Sequence, residues 1–233
     1  MKKHTTPFLI GLLGLFWLTT PTVGAQSVDL AEERAGVQSG RNAEQETQFH
    51  RARTAWESGI SMLEAKARID RVLKELPRDV EALKLRTSIL MGLGRPADAI
   101  DDALYTVQLT PTDGEAQLLL CETAVANGNK PIATAALEAA SVLILSQSQH
   151  LIRLSACALA ADDSARAEAL ARIVVAQKES DPRGHIQLAR VFLRGGRLDA
   201  ARNVLDKLVE NGLVTHASIA KDPEFLSLYS KDS

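Results

Sequence analysis

The sequence predicts an all-α protein, a solenoid of about five helix–turn–helix repeats with a C-terminal capping helix. Two observations predict this fold class. Alanine recurs at one fixed interval at Ala65, Ala99, Ala133, Ala167 and Ala201. Aromatic residues make up only 4% of the 233 residues, whereas alanine and leucine, which lose little rotamer freedom in a helix, are frequent. A fixed period of about 34 residues indicates repeats that bury their apolar faces against their neighbours.

The repeats follow one another without an insertion. They occupy residues 46–79, 80–113, 114–147, 148–181 and 182–215. Each contains the apolar pattern of two helices of about a dozen residues joined by a short turn. The periodic alanines fall in the second helix, where a methyl group lets two helix backbones approach each other closely.

Turn and capping residues recur with the same period. The turn between the two helices contains glycine at Gly94, Gly128 and Gly196, and Asp162 takes that position in the fourth repeat. Three of the five repeats end in an aspartate, at Asp79, Asp113 and Asp181. Aspartate is a favoured N-cap, so each of these three residues is expected to begin the next helix.

The two ends of the chain differ from the repeats. Residues 1–25 run from two lysines through the apolar stretch 8–18 to small residues before Gln26, which is the order of a secretory signal peptide. The apolar stretch is about half of the roughly 20 residues that a membrane span needs. We therefore expect cleavage and a mature protein without a membrane span, periplasmic or secreted; an uncleaved anchor is the alternative. Residues 26–45 are polar and predict a flexible tether.

The last segment, 216–233, predicts a cap for the open apolar face of the final repeat. Asp222 and Pro223 have the order of an N-cap and a first helical residue. Phe225, Leu226 and Tyr229 are expected to form its apolar edge.

The sequence contains no motif that is typical of catalysis or of cofactor binding. The histidines have no metal-ligand spacing, and the chain has neither a glycine-rich phosphate loop nor a G-x-S-x-G turn. The adjacent carboxylates Asp101 and Asp102 point in different directions on a helix and are interpreted as solvated surface. The net charge of −2 offers no basic face for nucleic acid. We predict no catalytic residue, metal, cofactor or nucleic-acid partner.

The repeat pattern resembles the tetratricopeptide repeat (TPR) family over about three quarters of the mature chain or more. The best repeat carries the family's positions as Leu83, Leu90, Gly94, Ala99, Val107, Leu109 and Pro111. The last repeat carries them as Leu188, Ala189, Phe192, Gly196, Ala201 and Leu205. Arg53 and Thr87 depart from the family, which prefers glycine or alanine there. The resemblance implies a right-handed solenoid that binds a protein or peptide in a groove lined by the first helices.

Carrying the family's groove positions over gives the candidate partner-binding residues. They are Leu118, Glu122, Val125, Ile152, Leu159, Arg183, Ile186, Arg190, Leu193 and Arg194. Further positions are His50, Thr54 and Glu57 in the first repeat, Glu81, Lys84, Ser88 and Met91 in the second, and Gln149 and Ala156 in the fourth. The apolar members could instead be ordinary packing between helices, and the arginines a solvated face. Some family members hold a peptide's C-terminal carboxylate, and only Lys84 and Arg153 fall at matching positions for this.

Two functions remain open. One is an exported interaction module that holds a partner peptide or helix in the groove; the three arginines at its end would favour an acidic or C-terminal peptide. The other is a structural or assembly subunit of a cell-envelope complex of the secretion or pilus type, bound through its outer surface. The sequence leaves the oligomeric state open.

The two cysteines, Cys121 and Cys157, lie slightly more than one period apart, on the first helices of adjacent repeats. An oxidising compartment permits a disulfide between them. However, Cys157 lies two residues beyond one full period, which rotates it by roughly 200° relative to the helix position of Cys121. In addition, helix axes usually lie about 8–10 Å apart, whereas a disulfide tolerates roughly 7 Å between Cα atoms. We expect two buried free thiols rather than a disulfide.

Overall fold

A computed structural model of the chain describes residues 40–143 and 147–229. Within these ranges it contains twelve helices and no strand, so the predicted all-α repeat fold is confirmed. The first ten helices form five consecutive pairs: α1 (Ala43–Ser58) with α2 (Met62–Glu75), α3 (Val80–Gly92) with α4 (Pro96–Leu109), α5 (Gly114–Ala126) with α6 (Lys130–Leu143), α7 (Ser148–Ala160) with α8 (Ser164–Gln177), and α9 (Pro182–Arg194) with α10 (Leu198–Glu210). Two short helices follow, α11 (His216–Ile219) and α12 (Pro223–Tyr229).

The period of the alanines is the period of the helices. The second helices begin at Met62, Pro96, Lys130, Ser164 and Leu198, which are separated by the same interval as the alanines. In each, the periodic alanine is at most 1% exposed; these residues are Ala65, Ala99, Ala133, Ala167 and Ala201. The predicted role of the small side chain, to let two helices pack closely, agrees with this burial.

The turns within the pairs need a left-handed backbone. Gly94, Gly128 and Gly196 have φ angles of 68°, 70° and 73°, and Asp162 adopts the same conformation at 67°. In the first pair it is Gly59, with φ of 67°, that takes this role. Glycine has no Cβ to clash in this region, which explains why it recurs here.

In three of the five pairs, the first helix begins at an aspartate N-cap, as predicted. The Asp79 carboxylate accepts a hydrogen bond from the backbone N–H of Ala82 at 3.1 Å. Asp113 accepts from the N–H of Glu115 at 2.9 Å, and Asp181 accepts from the N–H of Arg183 at 3.1 Å.

The first helix begins earlier than expected. The side chain of Asn42 caps α1, and Arg41 donates two hydrogen bonds to Asp79, at 2.5 and 2.7 Å. The Arg41 guanidinium also lies 3.6 Å above the centre of the Phe49 ring. Residues 41–45 are therefore anchored to the first two repeats, which corrects the predicted end of the tether at residue 45. The predicted signal peptide and the tether up to residue 39 lie outside the described residues.

Cys121 and Cys157 form a disulfide, with Cα atoms 6.4 Å apart, so the expectation of two free thiols is wrong. The usual spacing of helix axes does not exclude this bond, because Cα atoms lie away from the axes. Each Cα lies about 2.3 Å from its helix axis, so residues on facing sides of α5 and α7 approach more closely than the axes do. Both side chains are buried in the central core.

The C-terminal cap covers the last repeat. Phe225 and Leu228 are buried in a cluster with residues of α9 and α10, whereas Leu226 is exposed, which corrects the predicted apolar edge. The Tyr229 hydroxyl donates to Asp206 at 2.9 Å. Burial, followed by this hydrogen bond, raises the pKa of Tyr229 to about 12.

The carboxylates of Asp101 and Asp102 have different environments. Asp101 is exposed as predicted, but Asp102 is buried and accepts two hydrogen bonds from Arg86, both at 2.6 Å. Arg86 also reaches Asp70 at 3.3 Å, so the network joins α2, α3 and α4. The interpretation of Asp102 as solvated surface is thus corrected; its charge is neutralised by a partner on the neighbouring helix.

Candidate partner-binding groove

The first helices of four consecutive pairs, α1, α3, α5 and α7, line a groove with a cavity volume of about 470 Å³. Its lining residues are Arg53, Trp56, Glu81, Lys84, Leu85, Ser88, Met91, Glu115, Leu119, Glu122, Gln149 and Arg153. Because equivalent helices of successive repeats stack in register, equivalent positions lie side by side across the groove.

The apolar floor of the groove consists of Trp56, Leu85, Met91 and Leu119. Leu85 and Leu119 are buried, and Trp56 packs at the edge of the N-terminal core. A concave apolar surface with a few polar groups around it is the usual form of a site that accepts a ligand's side chain. The floor can therefore take an apolar group of a partner.

Beside the floor, three carboxylates surround one lysine. The Lys84 Nζ lies 2.5 Å from Asp113, 3.2 Å from Glu81 and 3.4 Å from Glu115. Burial by itself would lower the pKa of Lys84, but the hydrogen bond to Asp113 and the charges of the three carboxylates outweigh it and raise the pKa. Burial by itself would raise the pKa of Asp113. The contact with Lys84 and the hydrogen bonds from two backbone N–H groups outweigh burial and hold this pKa below its usual value. We call these four residues the Lys84 cluster.

A second ion pair lies farther along the groove. Arg153 on α7 donates two hydrogen bonds to Glu122 on α5, at 2.8 and 2.6 Å. This bidentate contact with Glu122 is the main reason why the pKa of Arg153 is raised, despite the opposing effect of burial. It joins the same two helices as the disulfide.

Comparison with known proteins identifies the fold. Residues 158–213 match the family model described as tetratricopeptide repeat. The structure of TTC0263, a TPR protein of Thermus thermophilus, superposes with a TM-score of 0.60 at 22% identity, over 80% of this chain and 96% of that one. The chain has a TPR fold. No curated protein matches its sequence.

Two further TPR-like structures are similar. PilW, described as a widely conserved type IV pilus biogenesis factor, superposes with a TM-score of 0.64 at 18% identity, over 76% of this chain and 82% of its own. A tetratricopeptide repeat protein from Parabacteroides merdae ATCC 43184 superposes with a TM-score of 0.65 at 13% identity, over 89% of this chain and 80% of its own. The resemblance to TPR proteins predicted from the sequence is confirmed, and TPR proteins bind other proteins and are generally not enzymes.

Within the described ranges, the TPR fold offers no grouping of three or more His, Cys, Asp or Glu side chains that could hold a metal ion. Its helices between residues 40 and 229 include none that is both long and apolar enough to cross a bilayer.

The TPR fold distributes the predicted groove residues among different environments. Glu122 lines the groove, together with Glu81, Lys84, Ser88, Met91 and Gln149. Leu118 and Leu159 are buried in the central core and do not line the groove, so the structure places these two in the core. Val125 and Ile152 are partly buried against the same core. His50, Thr54 and Glu57 of α1 lie outside the lining.

At the C-terminal end, the three predicted arginines already have carboxylate partners. Arg183 pairs with Asp181 at 2.6 Å. Arg190 contacts Asp222 at 2.6 Å and Glu224 at 3.0 Å. Arg194 also pairs with Glu224, at 2.6 Å. The expectation of an open basic end is corrected, because two of these arginines hold the C-terminal cap. Ile186 and Leu193 pack partly buried on the C-terminal core.

Sequence reasoning did not select several residues of the groove. These are Arg53, Trp56, Leu85, Glu115 and Leu119. The period contained a signal for Glu115, which lies one period after the predicted position Glu81. Leu119 lies one period after Leu85, which the prediction also missed. Arg53 and Trp56 carried no such signal, because Thr87 and Leu90, one period later, are not predicted groove positions.

Proposed function

We propose that the chain is an exported protein–protein interaction module that holds a peptide or helix of a partner in the groove on α1, α3, α5 and α7. The observation that carries this proposal is the apolar floor bordered by charged side chains in a cavity of about 470 Å³. A partner gains free energy by burying an apolar side chain on the floor, and the charges around it fix orientation and specificity.

Export is part of the proposal and has two supports. The order of residue types in 1–25 is that of a signal peptide. The disulfide between Cys121 and Cys157 is typical of proteins outside the reducing cytosol. Fractionation of the producing cell, with the intact mass of the purified chain, tests this part. We expect a protein outside the cytoplasm that begins at Gln26; a cytoplasmic chain with residues 1–25 retained would refute it.

Site-specific photo-crosslinking in the cell tests the groove. A photoreactive residue at Gln149, exposed at the groove, is compared with one at Ile173, exposed on the second helix α8. We expect partner adducts from position 149 and not from position 173. The adducts should disappear when Ser88, on the opposite wall, is replaced by Trp to fill the cavity.

A second candidate function is that of an assembly subunit bound through the outer helices. Tyr105 and Ile173 lie two periods apart, so they occupy the same position on α4 and α8. Both are exposed, and Val142 on α6 is 73% exposed. The similarity in fold to PilW, a pilus biogenesis factor, supports the same candidate. Adducts from position 173 alone, with firm retention in the envelope fraction, would favour it over the groove.

A further inference from the structure

We propose that the groove selects a cationic amphipathic segment of its partner, with a lysine or arginine bound between Glu81 and Glu115 and an apolar side chain on the apolar floor. This inference rests on the proposed function and gives the chemical class of the partner. It also reverses the ligand polarity expected from the sequence.

The balance of charges in the groove carries the first step. The Lys84 cluster contains three carboxylates and one ammonium group, and the oxygens of Glu81 and Glu115 lie within 3.4 Å of the same nitrogen. Arg53 approaches Glu81 only at 3.8 Å. The Arg153 guanidinium is held by both oxygens of Glu122. Negative charge is therefore in excess around Glu81 and Glu115.

Exposure decides which charge a partner meets. The Lys84 side chain is 12% exposed, whereas Glu81 and Glu115 are 51% and 48% exposed. Asp113 also caps α5 through the backbone N–H groups of Glu115 and Ala116, which fixes its position. The partner therefore meets Glu81 and Glu115 in front of a nearly buried lysine, with Arg53, 41% exposed, as a further cation of the groove beside Glu81. A peptide carboxylate would be repelled there, while an added cation would be attracted.

The sequence spacing places the acidic and apolar groups in a fixed relation. Leu85 follows Glu81 by four residues on α3, and Leu119 follows Glu115 by four residues on α5. Residues four apart lie on the same helix face about 6 Å apart along the axis. Glu81 and Glu115 thus lie about one helical turn from Leu85 and Leu119 on the same surface of the groove. A ligand with a basic and an apolar side chain one helical turn apart matches this spacing.

The test uses three synthetic peptides of about fourteen residues. They have the same apolar residues at the same positions, and their ends are blocked. Their charged positions carry only Lys, only Glu or only Gln. Binding to the purified chain is measured by fluorescence anisotropy at low and high salt. We expect the Lys peptide to bind about tenfold or more tightly than the Glu peptide at low salt, and the difference to shrink at high salt.

Two double variants identify the groups responsible. Glu81→Gln with Glu115→Gln should remove the preference for the Lys peptide. The matched control, Glu138→Gln with Glu210→Gln, changes the net charge equally at exposed positions of α6 and α10 and should keep the preference. Circular dichroism melts confirm that both double variants are folded.

The outcomes separate this inference from the proposed function. If all three peptides bind equally, or the Glu peptide binds best, and Ser88→Trp abolishes the binding, the inference is wrong and the groove remains the binding site. If no peptide binds, or if Ser88→Trp leaves binding unchanged, both proposals are overturned. A preference that the control variant loses as well would reflect overall charge and would also refute the inference.

Discussion

Cys121 and Cys157 join the first helices of two neighbouring repeats through a disulfide, with their Cα atoms 6.4 Å apart. Glu122, the residue after Cys121, pairs with Arg153 across the same two helices. A covalent bond inside the core and an ion pair at the groove therefore hold α5 against α7. Any change in this contact should be felt both in stability and in the shape of the groove.

Reduction of the disulfide should lower the free energy of unfolding by about 2–4 kcal/mol, because the bond closes a loop of 36 residues in the unfolded chain. Urea denaturation with and without reductant measures this difference. The variant with Cys121→Ala and Cys157→Ala is the control and should be insensitive to reductant. Alkylation in denaturant without reductant should give no label; two labels per chain would contradict the disulfide.

The periodic alanines should not tolerate a larger side chain. Ala133→Leu or Ala167→Leu should lower the free energy of unfolding by about 1–3 kcal/mol, because both sites are at most 1% exposed and have no room for the added atoms. Ala169→Leu, at an exposed position of α8, is the matched control and should have little effect. A thermal or urea melt of Ala167→Leu that overlays the parent would show that the assigned repeat register is wrong.

The repeat architecture could be predicted from the sequence because it follows from local and periodic features. The alanine period, the turn glycines and the aspartate N-caps each depend on the residue at one position and its near neighbours. The environment of Asp102 could not be predicted, because its partner Arg86 lies on another helix. The same reason applies to the disulfide, which depends on a few ångströms in the approach of two helices.

The groove was predicted only in outline. The family positions led to Glu81, Lys84 and Glu122, which line it. They also led to Leu118, which is buried, because a rotation of a few tens of degrees separates a groove position from a core position on the same helix. The pairing of Arg190 with Asp222 depends on how the C-terminal cap folds back, and the repeat pattern contains no information about that.

Asp162 should be replaceable by glycine with a gain in stability. It has a φ of 67° in a turn where all four other repeats have a left-handed glycine, and this conformation is unfavourable for a residue with a Cβ. Asp162→Gly should raise the Tm by about 1–4 °C, and Asp162→Ala should lower it. Asp162→Asn separates the backbone effect from the exposed ion pair with Lys130, whose contribution is small. A lower Tm for Asp162→Gly than for the parent would contradict this explanation of the turn.

Arg41 should be needed for the stability of the first repeat. Its replacement by Gln leaves the Asp79 carboxylate, 2% exposed, without the cation that neutralises it. Loss of one partner of a buried pair costs about 3–5 kcal/mol. Adding Asp79→Asn, which keeps a capping side chain, should recover part of the loss. Arg71→Gln, at an exposed position of α2, is the control; equal stabilities of the Arg41 and Arg71 variants would mean that Arg41 does not anchor the chain.

The fall in folding stability at acidic pH should depend on Asp181. The hydrogen bond from Arg183 is the main cause that lowers the pKa of Asp181 from 3.8 to about 2 in the folded chain, against the opposing effect of burial. A carboxyl group whose pKa is lowered by folding stabilises the folded state above its unfolded pKa, and that contribution is lost as the pH falls through its folded pKa. Most of this stabilisation should therefore be lost between the unfolded pKa of 3.8 and the folded pKa of about 2. Asp181→Asn should lower the urea midpoint at pH 7 and flatten its decline in that acidic range, whereas Asp101→Asn, at an exposed position of α4, should leave both nearly unchanged. If the Asp181→Asn variant declines as steeply as the parent, the pair with Arg183 does not stabilise the fold.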